Sequence, residues 1–170
     1  MQSIRDFTRV ETIYEAHIRT VRLKVRRDYI ASPDIRLDTI RQPDDVYTIL
    51  QAIFATLDDD QEHLIILVLN LAQEVTGYKL IASGGQGHAL IDCKIVFRNA
   101  LLLGASGIIL AHNHPGGNLE PSVYDIDMTR KVVHAGSVVD IEVIDHLIYT
   151  MHGYTSLRAS IPSLFEDDEA

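Results

Sequence analysis

Two histidines and a downstream aspartate are the residues of this chain whose types and spacing could do chemistry. His112 and His114 end an apolar run and are separated by one residue. In an extended segment, residues i and i+2 point to the same side, so both imidazoles can face one point. After seven intervening residues comes Ser122, followed three positions later by Asp125. Two neutral imidazoles and a carboxylate are ligands that Zn²⁺ accepts, and they leave a fourth tetrahedral position open.

The residues around this pattern predict a strand, a turn and a helix in succession. The apolar run 107–111 predicts a buried strand over residues 107–112, and Pro115 with the two following glycines turns the chain after it. Ser122 is a preferred N-cap residue, so a helix is expected from Ser122 to Ala135, ended by Gly136. The Ser122 hydroxyl is interpreted either as this cap or as a donor to a developing oxyanion, and one hydroxyl can serve both roles.

The pattern His112-x-His114-x7-Ser122-x-x-Asp125 resembles the JAMM motif of the JAB/MPN family of zinc metalloproteases. The segment HNHPGGNLEPSVYD is similar to the corresponding segment of the RadC branch of that family. The pairs Asp145-His146 and Tyr154-x-Ser156 also resemble that branch. The resemblance covers roughly residues 40 to 160. It implies an α/β fold of the mixed α+β sandwich type, with a curved mixed β-sheet flanked by helices and a cytidine-deaminase-like layering. It also implies Zn²⁺ held by His112, His114 and Asp125.

The resemblance implies an upstream Glu that acts as general base toward the attacking water. In RadC-like chains this Glu precedes a Gly, and counting back without gaps from His112 places Ser83 at that position. Serine cannot act as a base unaided, and Glu74 lies nine residues earlier, beyond the intervening strand. Asp145 and His146 are interpreted either as side chains that orient a metal ligand or as a polar break between two strands.

Composition narrows the class of protein. A chain of 170 residues with 46% apolar content is expected to form one domain with a real core. Its net charge of −9 argues against a broad nucleic-acid-binding face. The first residues carry charge where a signal peptide has its apolar core, and no run approaches the roughly 18 apolar residues of a membrane span. We therefore expect a cytoplasmic protein with no membrane partner.

The rest of the chain is expected to divide into three parts. Residues 1–40 form an N-terminal extension, with a helix within residues 1–17 and a basic strand at 18–25. Residues 41–160 form the RadC-like JAB/MPN domain, and residues 161–170 an acidic tail. Apolar periodicity and turn residues predict further elements of the domain. These are helices at 44–58 and 92–103 and strands at 64–69, 78–82, 138–144 and 147–151.

Two functions remain open from the sequence. One is a zinc metallohydrolase that cleaves a peptide or isopeptide-linked protein substrate, and the intact ligand set favours it. The other is a non-catalytic zinc-binding module that acts through a protein or DNA partner, and Ser83 favours it. DNA is suggested only by the family name. The substrate and the oligomeric state are not predicted.

Other sites that use two histidines do not fit the pattern. HNH nucleases spread their residues over a ββα-metal unit instead of placing them contiguously. A metallo-β-lactamase needs HxHxDH, whereas Gly116 and Gly117 stand at the Asp and His positions. A cupin continues into another strand, whereas Pro121 and Ser122 are expected to open a helix here.

Overall fold

A five-stranded mixed sheet forms the centre of the protein. The computed structural model describes residues 11–15 and 18–22 through their backbone and residues 40–84 and 92–166 in full. Its strands are β3 (His63–Leu69), β4 (Val75–Ser83), β5 (Gly107–Asn113), β6 (Glu142–Thr150) and β7 (Gly153–Ser156). The sheet has the order β4-β3-β5-β6-β7, and within it only β5 and β6 run parallel.

Helices cover both faces of this sheet. Helix α1 (Pro43–Phe54) packs on one face, and α2 (Cys93–Leu102) with α3 (Val123–Val138) packs on the other. The short α4 (Leu157–Ser160) and a 3-10 helix (Pro162–Leu164) follow β7. This arrangement confirms the predicted fold class, a mixed α+β architecture with a sheet flanked by helices. Within the described part of the chain, no helix is both long and apolar enough to cross a membrane.

The two central strands, β3 and β5, are buried along their whole length. Ile65 and Leu67 of β3 pack toward α1, whereas Ile66 and Val68 pack toward α2 and α3. Both faces of the sheet are therefore apolar, which is why these segments are continuous apolar runs in the sequence. In β5 the same alternation places Leu110 on the α3 side, and His112 follows it there.

The helix predicted at 44–58 and the strands predicted at 64–69 and 78–82 are all present, with shifted ends. Helix α1 begins at Pro43 and ends at Phe54. Asp45 accepts hydrogen bonds from the backbone N–H groups of Arg41 and Gln42, which caps the helix N-terminus. Its apolar side chains face the sheet, as their periodicity predicted. These are Val46, Ile49, Leu50, Ile53 and Phe54.

The prediction of a helix within residues 1–17 is wrong for residues 11–15. Glu11–Glu15 forms a strand, β1, that pairs antiparallel with β2 (Ile18–Arg22). β1 contains Thr, Ile and Tyr in succession, and such β-branched and aromatic residues favour strands. The predicted basic strand is confirmed over 18–22. The other predictions for residues 1–39 lie outside the described residues.

The predicted break between two strands at Asp145 and His146 is also wrong. β6 runs without interruption from Glu142 to Thr150, and both polar residues lie inside it, at 6% and 0% exposure. Val138, predicted to begin a strand, still belongs to α3. Polar side chains survive in the middle of a buried strand only when each has a hydrogen-bond partner, and both have one here.

Helix α3 also continues through Gly136 instead of ending there. A Cβ atom at Gly136 would lie 2.6 Å from the carbonyl oxygen of Ile141 and 3.1 Å from Cγ2 of Val143. This glycine is therefore needed for close packing of α3 against the chain that enters β6, and not to end the helix.

Candidate metal centre

The end of β5 and the first turn of α3 bring three side chains together. β5 lies between β3 and β6, and this pairing fixes the backbone of His112. The backbone N–H of His114 donates to Tyr149 in β6, which extends the pairing past the strand. Asp125 lies in the first turn of α3, held there by the N-cap Ser122. The predicted ligands His112, His114 and Asp125 are thus clustered in space.

The spacing of the three groups fits a tetrahedral cation. Nε2 of His112 lies 2.8 Å from Nε2 of His114. It lies 3.3 Å from Oδ1 of Asp125, and Nε2 of His114 lies 3.7 Å from Oδ2 of the same carboxylate. Ligands bound to zinc at about 2.0–2.2 Å are about 3.3–3.6 Å from one another in a tetrahedron. The three observed separations bracket this value, so the three groups are close enough to hold one metal ion, and their donor types are ones that zinc accepts.

The hydrogen bond on the far side of His114 fixes which of its nitrogens can bind a metal. Nδ1 of His114 lies 2.7 Å from the backbone carbonyl oxygen of Asn118. A carbonyl oxygen only accepts, so Nδ1 carries the hydrogen and donates it. In the neutral ring, Nε2 then has a lone pair directed at His112 and Asp125. This outer hydrogen bond is the usual way in which proteins orient a metal-binding imidazole.

Ser122 holds the carboxylate of Asp125 in place. Its backbone N–H donates to Oδ2 of Asp125 at 2.8 Å, and its hydroxyl donates to the same oxygen at 2.6 Å. The Ser122 oxygen also accepts the backbone N–H of Asp125 at 3.1 Å, which is the N-cap hydrogen bond. The hydroxyl is therefore engaged with Asp125, and donation from Ser122 to an oxyanion stays a prediction.

The pKa shifts separate the two histidines. Burial lowers the pKa of His112 to about 4, because the charged imidazolium is poorly solvated there. Burial likewise lowers the pKa of His146 well below its ordinary value. In contrast, the neighbouring Asp125 carboxylate raises the pKa of His114. Both fully buried rings are neutral at neutral pH, and in the absence of metal a proton binds preferentially at His114.

Asp125 is ionised in this cluster. Burial alone would raise its pKa, but His114, His112 and the two hydrogen bonds from Ser122 together lower the pKa well below the ordinary value for an aspartate. An ionised carboxylate and two imidazole nitrogens therefore converge on one point. That point attracts a cation.

Of the two side chains predicted to orient a ligand, His146 contacts one and Asp145 does not. Nε2 of His146 lies 2.8 Å from Nδ1 of His112. Asp145 instead accepts hydrogen bonds from the Ser156 hydroxyl at 2.6 Å and from the Arg158 backbone N–H at 3.0 Å. These bonds join β6 to β7 and α4, so Asp145 stabilises the fold beside the site.

Ser83, which the sequence placed at the general-base position, lies on the other face of the sheet. Its hydroxyl is 2.7 Å from Nδ1 of His63, whose Nε2 is 2.8 Å from the carbonyl oxygen of Asp58, beyond the end of α1. A β-bulge in β4 adds Ile81 to the pairing with β3, and the extra residue reverses the alternation after it. Ser83 therefore faces the α1 side, whereas the metal-ligand candidates face α3.

Asn113, between the two histidines, ties the start of β3 to the site. Its Oδ1 accepts the backbone N–H of His63 at 2.6 Å, and its Nδ2 donates to the backbone carbonyl of Gln61 at 2.9 Å. These two hydrogen bonds fix the backbone on both sides of Glu62. No signal in the sequence distinguishes Glu62, because it follows a run of exposed acidic residues and matches no motif spacing.

Glu62 lies beside the cluster. Leu64 of β3 is paired with His112, and continuing this antiparallel register by two residues places Glu62 opposite His114. Residues directly opposite in an antiparallel pair share a face of the sheet. The negative charge of Glu62 is among the causes that raise the pKa of His114, after the larger effect of Asp125. Glu74, by contrast, lies in the turn between β3 and β4, at the opposite end of the sheet.

Comparison with known proteins places this fold and site in a family. Residues 40–161 match the family model described as the RadC-like JAB domain. The chain belongs to the RadC-like JAB domain family. The match begins three residues before α1 and ends after α4, so it includes the whole five-stranded sheet of this RadC-like chain.

Relatives of this RadC-like chain carry the name UPF0758 protein. One from Carboxydothermus hydrogenoformans is 36% identical over 134 residues, which cover 79% of this chain and 58% of the relative. Another, from Methanospirillum hungatei, is 40% identical over 120 residues, or 71% and 53% of the two chains. A third, from Rubrobacter xylanophilus, is 34% identical over 158 residues, or 92% and 68%. The chain spans between about half and two thirds of the length of these relatives.

A cleft of about 850 Å³ opens beside His114. Its walls come from the end of α1, the loop after β5 and the turn between β6 and β7. It combines apolar and aromatic side chains with acidic ones, and no Lys or Arg of the described residues lines it. Its lining residues include Phe54, Leu57, Asp58, Asp59, His114, Tyr149, Thr150 and Met151.

Proposed function

We propose that this protein is a zinc-dependent hydrolase that cleaves a peptide or isopeptide amide bond. The observation that carries the proposal is the convergence of His112, His114 and Asp125 at separations that suit one tetrahedral zinc ion. Three protein ligands leave one position for a reacting group, as in catalytic zinc sites. Membership of the RadC-like JAB domain family supports the same chemistry.

Each residue of the site has a distinct role in this proposal. His112, His114 and Asp125 would hold the ion, and Ser122 keeps the Asp125 carboxylate oriented through two hydrogen bonds. Bound zinc would supply Lewis acidity, which lowers the pKa of water toward about 7 and polarises a substrate carbonyl. We assign Glu62 as the general base that takes a proton from the attacking water and passes it to the leaving amine.

The position of Glu62 supports this role better than that of Ser83. Glu62 continues the strand register opposite His114, and the hydrogen bonds of Asn113 fix the backbone around it. Ser83 is hydrogen-bonded to His63 on the opposite face. A carboxylate that neighbours the metal-ligand candidates can reach the water that attacks, whereas a group behind the sheet cannot.

The cleft beside His114 is the proposed substrate site. His114 is the metal-ligand candidate that lines it, and the cleft continues from there past the end of α1 to the β6–β7 turn. His112, Asp125 and Glu62 do not line it, so a substrate in this cleft would approach the ion from the His114 side. Apolar and aromatic side chains in such a cleft bury the body of a ligand, and its few polar groups orient it. A segment of polypeptide is a suitable occupant.

The test compares substrate cleavage by the zinc-loaded protein, Glu62→Gln and Ser83→Ala on a panel of peptides and isopeptide-linked proteins. Glu62→Gln removes the base but keeps the shape, so turnover should fall about 10²–10⁴-fold while zinc content is unchanged. Ser83→Ala should keep wild-type turnover.

A different pattern of results would contradict the assignment. Equal turnover in the wild-type protein and Glu62→Gln, with loss in Ser83→Ala, would show that the base lies elsewhere. Zinc binding without cleavage of any substrate on the panel would favour the non-catalytic zinc module that acts through a partner.

A further inference from the structure

We propose that Thr129, acting through His146, fixes His112 in the tautomer that can bind zinc. This inference rests on the zinc site of the proposed function. It adds two positioning residues, neither of which contacts the ion. An unbroken series of short hydrogen bonds runs from the backbone of α3 to the metal-ligand candidates.

The series starts at a hydroxyl whose direction is fixed. Oγ1 of Thr129 lies 2.6 Å from the carbonyl oxygen of Asp125, one turn earlier in α3, and 2.7 Å from Nδ1 of His146. The carbonyl oxygen has no hydrogen, so the hydroxyl donates to it. The same oxygen then accepts from Nδ1 of His146, which must carry a hydrogen.

The position of the hydrogen on His146 determines the position of the hydrogen on His112. His146 is fully buried, and its two ring nitrogens contact the Thr129 hydroxyl and the His112 ring, neither of which is an anion that would stabilise a charged imidazolium. The ring is therefore neutral and carries a single hydrogen. With this hydrogen on Nδ1, Nε2 of His146 is an acceptor, and it lies 2.8 Å from Nδ1 of His112. Nδ1 of His112 therefore donates, and its Nε2 keeps a free lone pair. That nitrogen is the one directed at His114 and Asp125.

If the hydrogen bonds of this series ran in the opposite direction, His112 could not bind the ion. If the Thr129 hydroxyl donated to His146, each ring would shift its hydrogen, and Nε2 of His112 would carry a hydrogen that points at the ion. The Asp125 carbonyl prevents this because it holds the hydroxyl hydrogen. A helix that supplies one ligand through its side chain thus orients a second ligand through its backbone.

The experiment measures zinc affinity by competition with a chelator of known affinity, in the full chain. Thr129→Val keeps the shape of the side chain but removes the oxygen that accepts from His146, and loss of such outer hydrogen bonds typically costs about 10–100-fold in metal affinity. Thr129→Ser retains the hydroxyl and should stay within about threefold of the wild type.

Thr48→Val is the matched control. Thr48 in α1 also donates its hydroxyl to the carbonyl oxygen four residues earlier, that of Asp44, at 3.0 Å. It is exposed and remote from the cluster, so its replacement should leave zinc affinity unchanged. A loss in Thr129→Val that equals the loss in Thr48→Val would overturn the proposal.

A second readout needs no variant. Nitrogen NMR of the zinc-loaded wild-type protein reports which ring nitrogens carry hydrogen, and we expect it on Nδ1 of both His112 and His146. A hydrogen on Nε2 of His146 would overturn the proposal even if Thr129→Val failed to fold. Absence of zinc binding in the wild type would instead contradict the proposed function. The same nitrogen measurement on metal-free protein would then decide the direction of the hydrogen bonds between Thr129, His146 and His112.

Discussion

The metal-free protein should lose stability as the pH falls from about 6.5 to about 4, and His112 should account for a defined part of the loss. In the unfolded chain His112 takes up a proton near its ordinary pKa of 6.5, whereas burial lowers its pKa in the fold to about 4. Between these values the unfolded state binds more protons, so protonation favours unfolding. A shift of about 2.5 units corresponds to about 3 kcal/mol, at 1.36 kcal/mol for each unit.

Three neighbours of His112 also make the free energy of unfolding depend on pH, and the direction of each pKa shift fixes the sign of its effect. His146 has a lowered pKa for the same reason, so it adds to the loss. His114 has a raised pKa, so its stabilising effect is present at low pH and is lost as the pH rises through the folded pKa. Asp125 has a lowered pKa and therefore loses its stabilising contribution below the range in question. The contribution of His112 is thus isolated only by a comparison of variants.

The assay is urea unfolding, followed by circular dichroism in the presence of a metal chelator, at pH steps from about 7 to about 4.5. The wild type is compared with His112→Asn, which cannot titrate, and with His134→Asn, which replaces an exposed histidine of α3. We expect the pH-dependent loss in His112→Asn to be smaller than in the wild type by about 2–3 kcal/mol, and His134→Asn to follow the wild type. Parallel curves for all three proteins would refute the account of His112 as a buried, neutral imidazole.

Three further predictions follow from the same structure. Asp125→Ala should lose zinc but keep its fold by circular dichroism, because this residue belongs to none of the three hydrophobic core clusters of the described residues. An unfolded variant would mean that the site is structural. Gly136→Ala should destabilise the protein by about 1–3 kcal/mol in urea unfolding, since its Cβ would meet the Ile141 carbonyl, whereas Gly116→Ala, with open space around it, should be nearly neutral. Zinc affinity should fall about tenfold for each pH unit below the raised pKa of His114, because a proton must leave this ring before zinc binds. Competition with a chelator measures this affinity, and an affinity that does not change with pH would contradict the prediction.

The clustering of His112, His114 and Asp125 could be predicted because it follows largely from local geometry. The i and i+2 spacing of the two histidines in a strand, and an aspartate in the first turn of the next helix, need no knowledge of distant parts of the chain. The apolar face of α1 and the buried β3 followed from residue periodicity in the same way.

The side of the sheet that Ser83 faces could not be predicted from the sequence because a β-bulge intervenes. Counting residues back to Ser83 assumes an unbroken alternation along β4. The extra residue, Ile81, shifts the alternation and turns Ser83 toward α1. Glu62 reaches the site through the register between β3 and β5, which is a contact between strands almost 50 residues apart in the chain.

For a related reason, the sequence predicts a break where β6 has its buried polar residues. A sequence shows that Asp145 and His146 are polar, but it does not show which hydrogen-bond partners the fold brings next to them. The Ser156 hydroxyl satisfies Asp145, and Thr129 with His112 satisfies His146. The contact between Thr129 and His146 forms only because α3 packs on β6, so no local pattern in the sequence predicts it.

The measurement that tests the central claim most directly is elemental analysis of protein purified without added metal or a metal-chelating step. The account predicts about one zinc per chain in the wild type and in His134→Ala, and loss of this zinc in both His112→Ala and His114→Ala. Full zinc content in both of the latter variants would contradict the assignment of these histidines as ligands.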